Sequence, residues 1–192
     1  GLAIKPVQES KNPQLIKFVV DEADAQVNLL LTGKEKDKKE QGKQVDRLLS
    51  LLECLRGRDD KQTDGFLTKW FARREEFSSV KSEPGGKDIQ QRLVHIMATG
   101  PAGAKKALID NHASLSPEDL PHAFVAARTS RKPAEVFEMF SPYLLAKVDE
   151  KKKGRDPEFA KREAIGELLD SGWHWRYGRG ELDRKEDEVV KD

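Results

Sequence analysis

An all-α fold of about eight amphipathic helices in antiparallel pairs is what this 192-residue chain predicts. Three observations carry that prediction. Apolar residues recur at helical spacing in one segment after another. The stretches between them are mostly short and polar, and they hold proline, glycine and N-cap residue types. Strand-like alternation is confined to Trp173–Tyr177, so a sheet has almost nowhere to form.

The first helix is predicted over 13–32. Asn12 is a good N-cap and Pro13 suits the first helical position. Leu15, Ile16, Val19, Val20, Ala23, Val27, Leu30 and Leu31 share one face. Phe18 and Leu29 widen that stripe, which predicts neighbours on two flanks. Residues 33–44, with eight charges and no large apolar residue, read as a solvated loop. Val45, Leu48, Leu49, Leu51, Leu52 and Leu55 restore a helix, with Gly57 as its stop.

Thr63 or Asp64 is the expected cap of the next helix, in which Phe66, Leu67, Trp70 and Phe71 point one way together with Phe77. The cluster at 78–86 is the clearest linker in the chain. Ile89, Leu93, Val94, Ile96 and Met97 mark a helix that ends at Thr99-Gly100-Pro101, and a short alanine-rich helix over 102–112 follows. Ser116-Pro117-Glu118-Asp119 is a cap-proline-acid start for a helix bearing Leu120, Ala123, Phe124 and Ala127. Another begins at Lys132-Pro133 and turns Val136, Phe137, Met139 and Phe140 inward. Pro142 then bends that helix, or Ser141 caps a new one. Asp156-Pro157-Glu158 repeats the start signal, and Ala164, Ile165, Leu168 and Leu169 continue to Gly172.

In its spacing of helix pairs the chain resembles HEAT-like helical repeats. The resemblance implies an α-solenoid, with an irregular helical bundle as the alternative, and it implies no catalytic residue. The expected organisation is one helical domain over 1–180, with 78–86 as a point of subdivision, and an acidic, flexible tail over 181–192. A chain that opens on Gly1 is expected to be one domain of a longer protein.

Composition narrows the function classes. The 35 lysines and arginines are nearly cancelled by 34 aspartates and glutamates, which excludes a globally basic nucleic-acid binder but not a local patch. Charged residues make up 36% of the chain, against about 25% in an ordinary domain. Mixed signs on outer helix faces account for most of that excess. No apolar run approaches the ~20 residues of a membrane span, and none resembles a signal peptide, so a soluble cytoplasmic protein away from membranes is expected. The single cysteine, Cys54, excludes an internal disulfide framework and a cysteine zinc site.

Candidate sites are few. Thr99-Gly100-Pro101-Ala102-Gly103-Ala104-Lys105-Lys106 has a superficial likeness to a phosphate cradle. A true one places glycine directly before the lysine and a hydroxyl after it, where this chain has Ala104 and Lys106, so the segment reads as a helix-to-helix turn. His95, His112, His122 and His174 lack metal-ligand spacing, and no cofactor or metal is expected. His112 and His122 flank one loop and are expected to approach each other. The least ordinary segment joins Trp173, His174, Trp175, Arg176, Tyr177 and Arg179, an alternation of aromatic and cationic residues. It is the candidate interaction surface, because Trp, Tyr and Arg dominate binding hot spots.

The leading expectation is a non-catalytic protein–protein interaction or scaffolding module. The alternative is a nucleic-acid contact domain that uses Trp173–Arg179 with Arg128, Arg131, Lys132 and the basic residues at 151–155. An enzyme is a third reading, and its signature would be a pocket lined by His112, His122 or several acids.

Overall fold

Each stripe read from the sequence needs a partner surface, and the array that supplies them has nine α-helices among the described residues. A computed structural model describes residues 4–32, 37–80, 84–145 and 156–172. The helices are α1 (Ile4–Glu9), α2 (Pro13–Leu31), α3 (Lys38–Cys54), α4 (Lys61–Ala72) and α5 (Gly86–Thr99). They continue as α6 (Ala102–Asp110), α7 (Leu120–Ser130), α8 (Pro133–Leu145) and α9 (Pro157–Gly172). Short 3-10 turns at Arg74–Ser79 and His112–Ser114 lie between them, and no strand occurs among the described residues.

The packing order is regular. Helix α1 lies on α3, α3 on α5, α5 on α7 and α7 on α9, forming one layer. The second layer runs α2, α4, α6, and the layers join through α2 with α3, α4 with α5, α6 with α7 and α8 with α9. The strong helix contacts all connect helices one or two places apart, as in an α-solenoid whose units meet only their neighbours. One continuous buried cluster, from Val19 to Ile165, fills the space between the layers.

An N-cap side chain sets the starts of α2, α3, α4 and α9. Asn12 accepts a hydrogen bond from the Gln14 N–H (3.0 Å), and Asp156 accepts one from the Glu158 N–H (3.0 Å). The starts of α3 and α4 correct the sequence reading. The loop expected over 33–44 is helical from Lys38, because Asp37 caps α3 through the Lys39 N–H (2.8 Å). Its first-turn charges face solvent while Gly42 and Val45 are buried. Helix α4 is capped by Asp60, not by Thr63 or Asp64. Its Oδ1 accepts from the Thr63 N–H (2.9 Å) and its Oδ2 from the Thr63 hydroxyl (3.0 Å). Helix α3 stops where Gly57 takes φ +73°, a left-handed conformation that suits glycine.

Two further expectations are revised. Phe18 and Leu29 lie on an open flank of α2, 60% and 38% exposed, so this helix has fewer covering neighbours than its stripe suggested. Helix α8 runs through Pro142 to Leu145, with Phe140 and Tyr143 both buried, so no new helix begins at Ser141. No helix among the described residues is long and apolar enough to cross a membrane.

The joint between α2 and α4 depends on one carboxylate. Trp70 is fully buried, and its indole N–H donates to Asp24 Oδ1 (2.7 Å), which also receives Lys69 Nζ (2.6 Å). Burial is the largest single influence on the Asp24 carboxyl and pushes it upward. The hydrogen bonds from Lys69 and Trp70, with the Lys69 charge, together outweigh that push and hold it below its ordinary value. Replacing Asp24 by alanine strands a buried N–H donor. Asp24→Ala is therefore expected to cost about 1–3 kcal/mol, read as a lower urea midpoint at unchanged slope.

Candidate functional site

Helix α5 buries Ile89, Leu93, Ile96 and Met97. That face leaves Asp88, Gln91, Arg92 and His95, spaced at i, i+3, i+4 and i+7, as a polar stripe along the opposite side. The stripe forms one wall of a cleft of about 520 Å3. Leu49 of α3 and Pro84 contribute to it, and Glu118, Asp119 and His122 close it from the start of α7.

Local chemistry holds these groups in place. Ser116 Oγ accepts from the Asp119 N–H (3.2 Å) and donates to Asp119 Oδ2 (3.0 Å), which winds the turn leading into α7. Asp119 Oδ1 is buried and has no hydrogen-bond partner among the described residues. Asp88 caps α5 by accepting from the Gly85 N–H (2.8 Å). Arg92 donates to Glu53 of α3 (2.6 Å), tying α5 to α3. The imidazoles of His95 and His122 meet edge to face, with centroids 5.1 Å apart. Burial lowers the His122 pKa, the nearby His95 lowers it further, and Asp119 acts in the opposite direction.

A second cleft of about 420 Å3 is lined by Ile4, Asp46, Leu49, Ser50, Glu53 and Arg92. It shares Leu49 and Arg92 with the first, so the two clefts lie side by side, as one groove-like face, on the layer of α1, α3, α5 and the start of α7. Comparison with protein-family models, with characterised proteins and with solved structures finds no match to this chain. The groove is therefore interpreted from its own geometry.

The sequence-predicted histidine pair does not form as expected. His122 meets His95, whereas His112 Nδ1 and the Tyr143 hydroxyl share a hydrogen bond (2.7 Å). His112 also packs on Phe140, and burial, followed by the charge of Lys161, lowers its pKa. Lys161 is itself buried and donates to the Ala113 carbonyl (3.2 Å), pinning α9 to the turn after α6. Among the described residues, no group of three or more His, Cys, Asp or Glu side chains is placed to hold a metal ion.

The segment that resembled a phosphate cradle is a helix start occupied by the protein's own anion. Asp64 of α4 accepts from the Ala104 N–H at the start of α6 (2.6 Å). A Cβ at Gly103 would stand 2.3 Å from Asp64 Oδ2, so glycine is what lets the carboxylate approach. Cys54 is buried, and burial raises its pKa, which keeps the thiol protonated and unreactive.

The candidate residues Trp173, His174, Trp175, Arg176, Tyr177 and Arg179 lie outside the described residues, as do Lys151, Lys152, Lys153 and Arg155. Arg131 lines a smaller depression of about 290 Å3 with Lys105, Lys106 and Asp59. The groove residues Asp46, Glu53, Asp88, Gln91 and Arg92 were not singled out by sequence. For Asp88, Gln91 and Arg92 the signal was the polar i, i+3, i+4, i+7 stripe of α5, which is also what an ordinary solvated helix face looks like; Asp46 and Glu53 lie on α3.

Two predictions follow from these contacts. With Asp64 present, Gly103→Ala displaces the capping carboxylate. In an Asp64→Ala background the same change is stabilising, by about 0.5–1 kcal/mol of helix propensity. A double-mutant cycle by urea denaturation is expected to give a coupling of about 1 kcal/mol or more.

The second prediction concerns pH. His112 and His122 both bind protons less readily folded than at the ordinary value of 6.5. The unfolded chain therefore takes up protons first, and stability is complete above about pH 6.5 and declines as pH falls through the lower folded values. Calorimetric Tm is expected to drop between about pH 7.5 and about pH 5.5, and less steeply in a His112→Gln, His122→Gln double variant.

Proposed function

We propose that this chain is a non-catalytic, cytoplasmic protein-interaction module that docks a partner along the α1–α3–α5–α7 layer. The observation that carries the reading is the pair of adjacent clefts on that layer, which share Leu49 and Arg92. A row of parallel helix faces offers an extended, preformed surface, and solenoids use such surfaces for recognition. Most of its charged groups are held by neighbours: Arg92 by Glu53, Asp88 by the α5 N-terminus and Asp119 by Ser116. Side chains held this way lose little freedom on binding.

The enzyme reading draws on the same cleft, where His122 stands among Asp88, Glu118 and Asp119. It requires turnover that His122→Gln removes. The interaction reading is tested by using the intact chain as bait and mapping cross-links from the captured partner. Cross-links on α3, α5 and the start of α7, weakened by Leu49→Glu, support it. Capture of no partner, together with turnover of a substrate by the purified chain, overturns it.

A further inference from the structure

The groove's chemistry selects among partners. Among the described residues that line its two clefts are Asp46, Glu53, Asp88, Glu118 and Asp119, with Arg92 as the one permanently cationic side chain, while Arg56 pairs with Glu53 from beside them (2.7 Å). Arg92 is already committed to Glu53 at 2.6 Å. At Glu118 the one compensating cation among the described residues is Lys87, 3.8 Å away, and both side chains are largely exposed. Asp119 has one oxygen satisfied by Ser116, while its other oxygen is buried without a donor among the described residues.

The geometry sets the size of what would fit. Crossing from α1 to α7 takes three helix-to-helix steps of about 8–10 Å, or roughly 25–30 Å. Extended chain covers that with about eight or nine residues. The larger cleft, at about 520 Å3, has room for a long side chain. Its walls combine flat imidazoles, His95 and His122, with the carboxylates of Glu118 and Asp119. A planar guanidinium can stack on the first and fork to the second, which an ammonium does less well.

Resting on the interaction reading, we infer that the groove takes an extended, arginine-bearing segment of a partner protein, with one guanidinium seated between His95, His122, Glu118 and Asp119. The groups facing that guanidinium are Asp88, Arg92 and His95 from α5, Glu118 and Asp119 from the turn, and His122 from α7, with Leu49 from α3 uncharged. Protonation of His122, which burial disfavours, would place positive charge beside the bound cation, so the segment is held above that titration and released below it.

The test is isothermal titration of the full chain with tetra-arginine amide and with tetra-citrulline amide, its uncharged near-isostere, at low salt. Saturable one-to-one binding of the arginine peptide is expected, at least about 10-fold tighter than the citrulline peptide. Glu118→Gln, a surface change, and Asp119→Asn, a near-isosteric one, should each weaken it about 5-fold or more. Asp110→Asn, on α6 and paired with Lys106, should leave it unchanged. Binding should weaken from about pH 7.5 to about pH 5.5, and His122→Gln should flatten that dependence. Equal binding of the two peptides, binding of neither, or variants that bind like the unaltered chain overturns the inference. A partner cross-linked to α3, α5 and α7 whose bound segment has no arginine overturns it too, while leaving the interaction reading standing.

Discussion

Apolar helix faces stacked in a row hold a protein together without fixing how far one helix slides along the next, because hydrophobic burial has no direction. In this chain the register is set by single polar side chains that reach across a joint. Asp24 of α2 receives the Trp70 indole of α4, and Asp64 of α4 receives the Ala104 amide of α6, so one layer is pinned at each step. In the other layer Arg92 of α5 reaches Glu53 of α3. At the ends, Arg58 donates to the Val7 and Gln8 carbonyls of α1, and Lys161 of α9 donates to the Ala113 carbonyl. Each pin lies at a boundary where a one-turn slip would leave a donor or a carboxylate unsatisfied.

These pins mark where sequence reasoning succeeds and where it stops. Helix identity was legible because it is periodic: the stripes of α2, α4 and α5 are the buried faces observed. Helix ends were less so, since a cap is one residue among several of the right type. Asp37 was hidden in a run of charges that read as loop, although it starts α3. Asp60, Thr63 and Asp64 are all plausible caps by type. The structure divides the work: Asp60 caps α4, Thr63 is buried against it, and Asp64 serves a helix 40 residues away.

The candidate site was less legible still. The four groups that meet around the larger cleft come from positions 95, 118, 119 and 122, and no local pattern joins the first to the others. His122 and His112 illustrate the difficulty. They flank the same loop, yet the stacking of α7 on α5 gives one to His95 and the packing of α8 gives the other to Tyr143. What sequence did expose was the negative result at residues 99–106. The missing glycine and hydroxyl excluded a phosphate loop, and the structure supplies the positive reason, an internal carboxylate at that helix start.

The near-cancellation of 35 bases by 34 acids has a spatial meaning that the totals conceal. Much of the charge is neutralised within a single helix turn or two, as in Lys17 with Asp21, Lys43 with Glu40, Arg73 with Glu76 and Lys106 with Asp110. Such pairs keep a helix face wet at little net energy and carry no information about a partner. Charge becomes informative only where the fold gathers groups that cannot all be neutralised locally. The groove is such a place, because two successive helices of one layer and the turn into a third bring their carboxylates to neighbouring clefts, while the one arginine among the described lining residues is spent on holding those two helices in register. The same pinning that fixes the array thus leaves its concave face electrostatically incomplete, and a face of that kind is completed most directly by a cation from outside the chain.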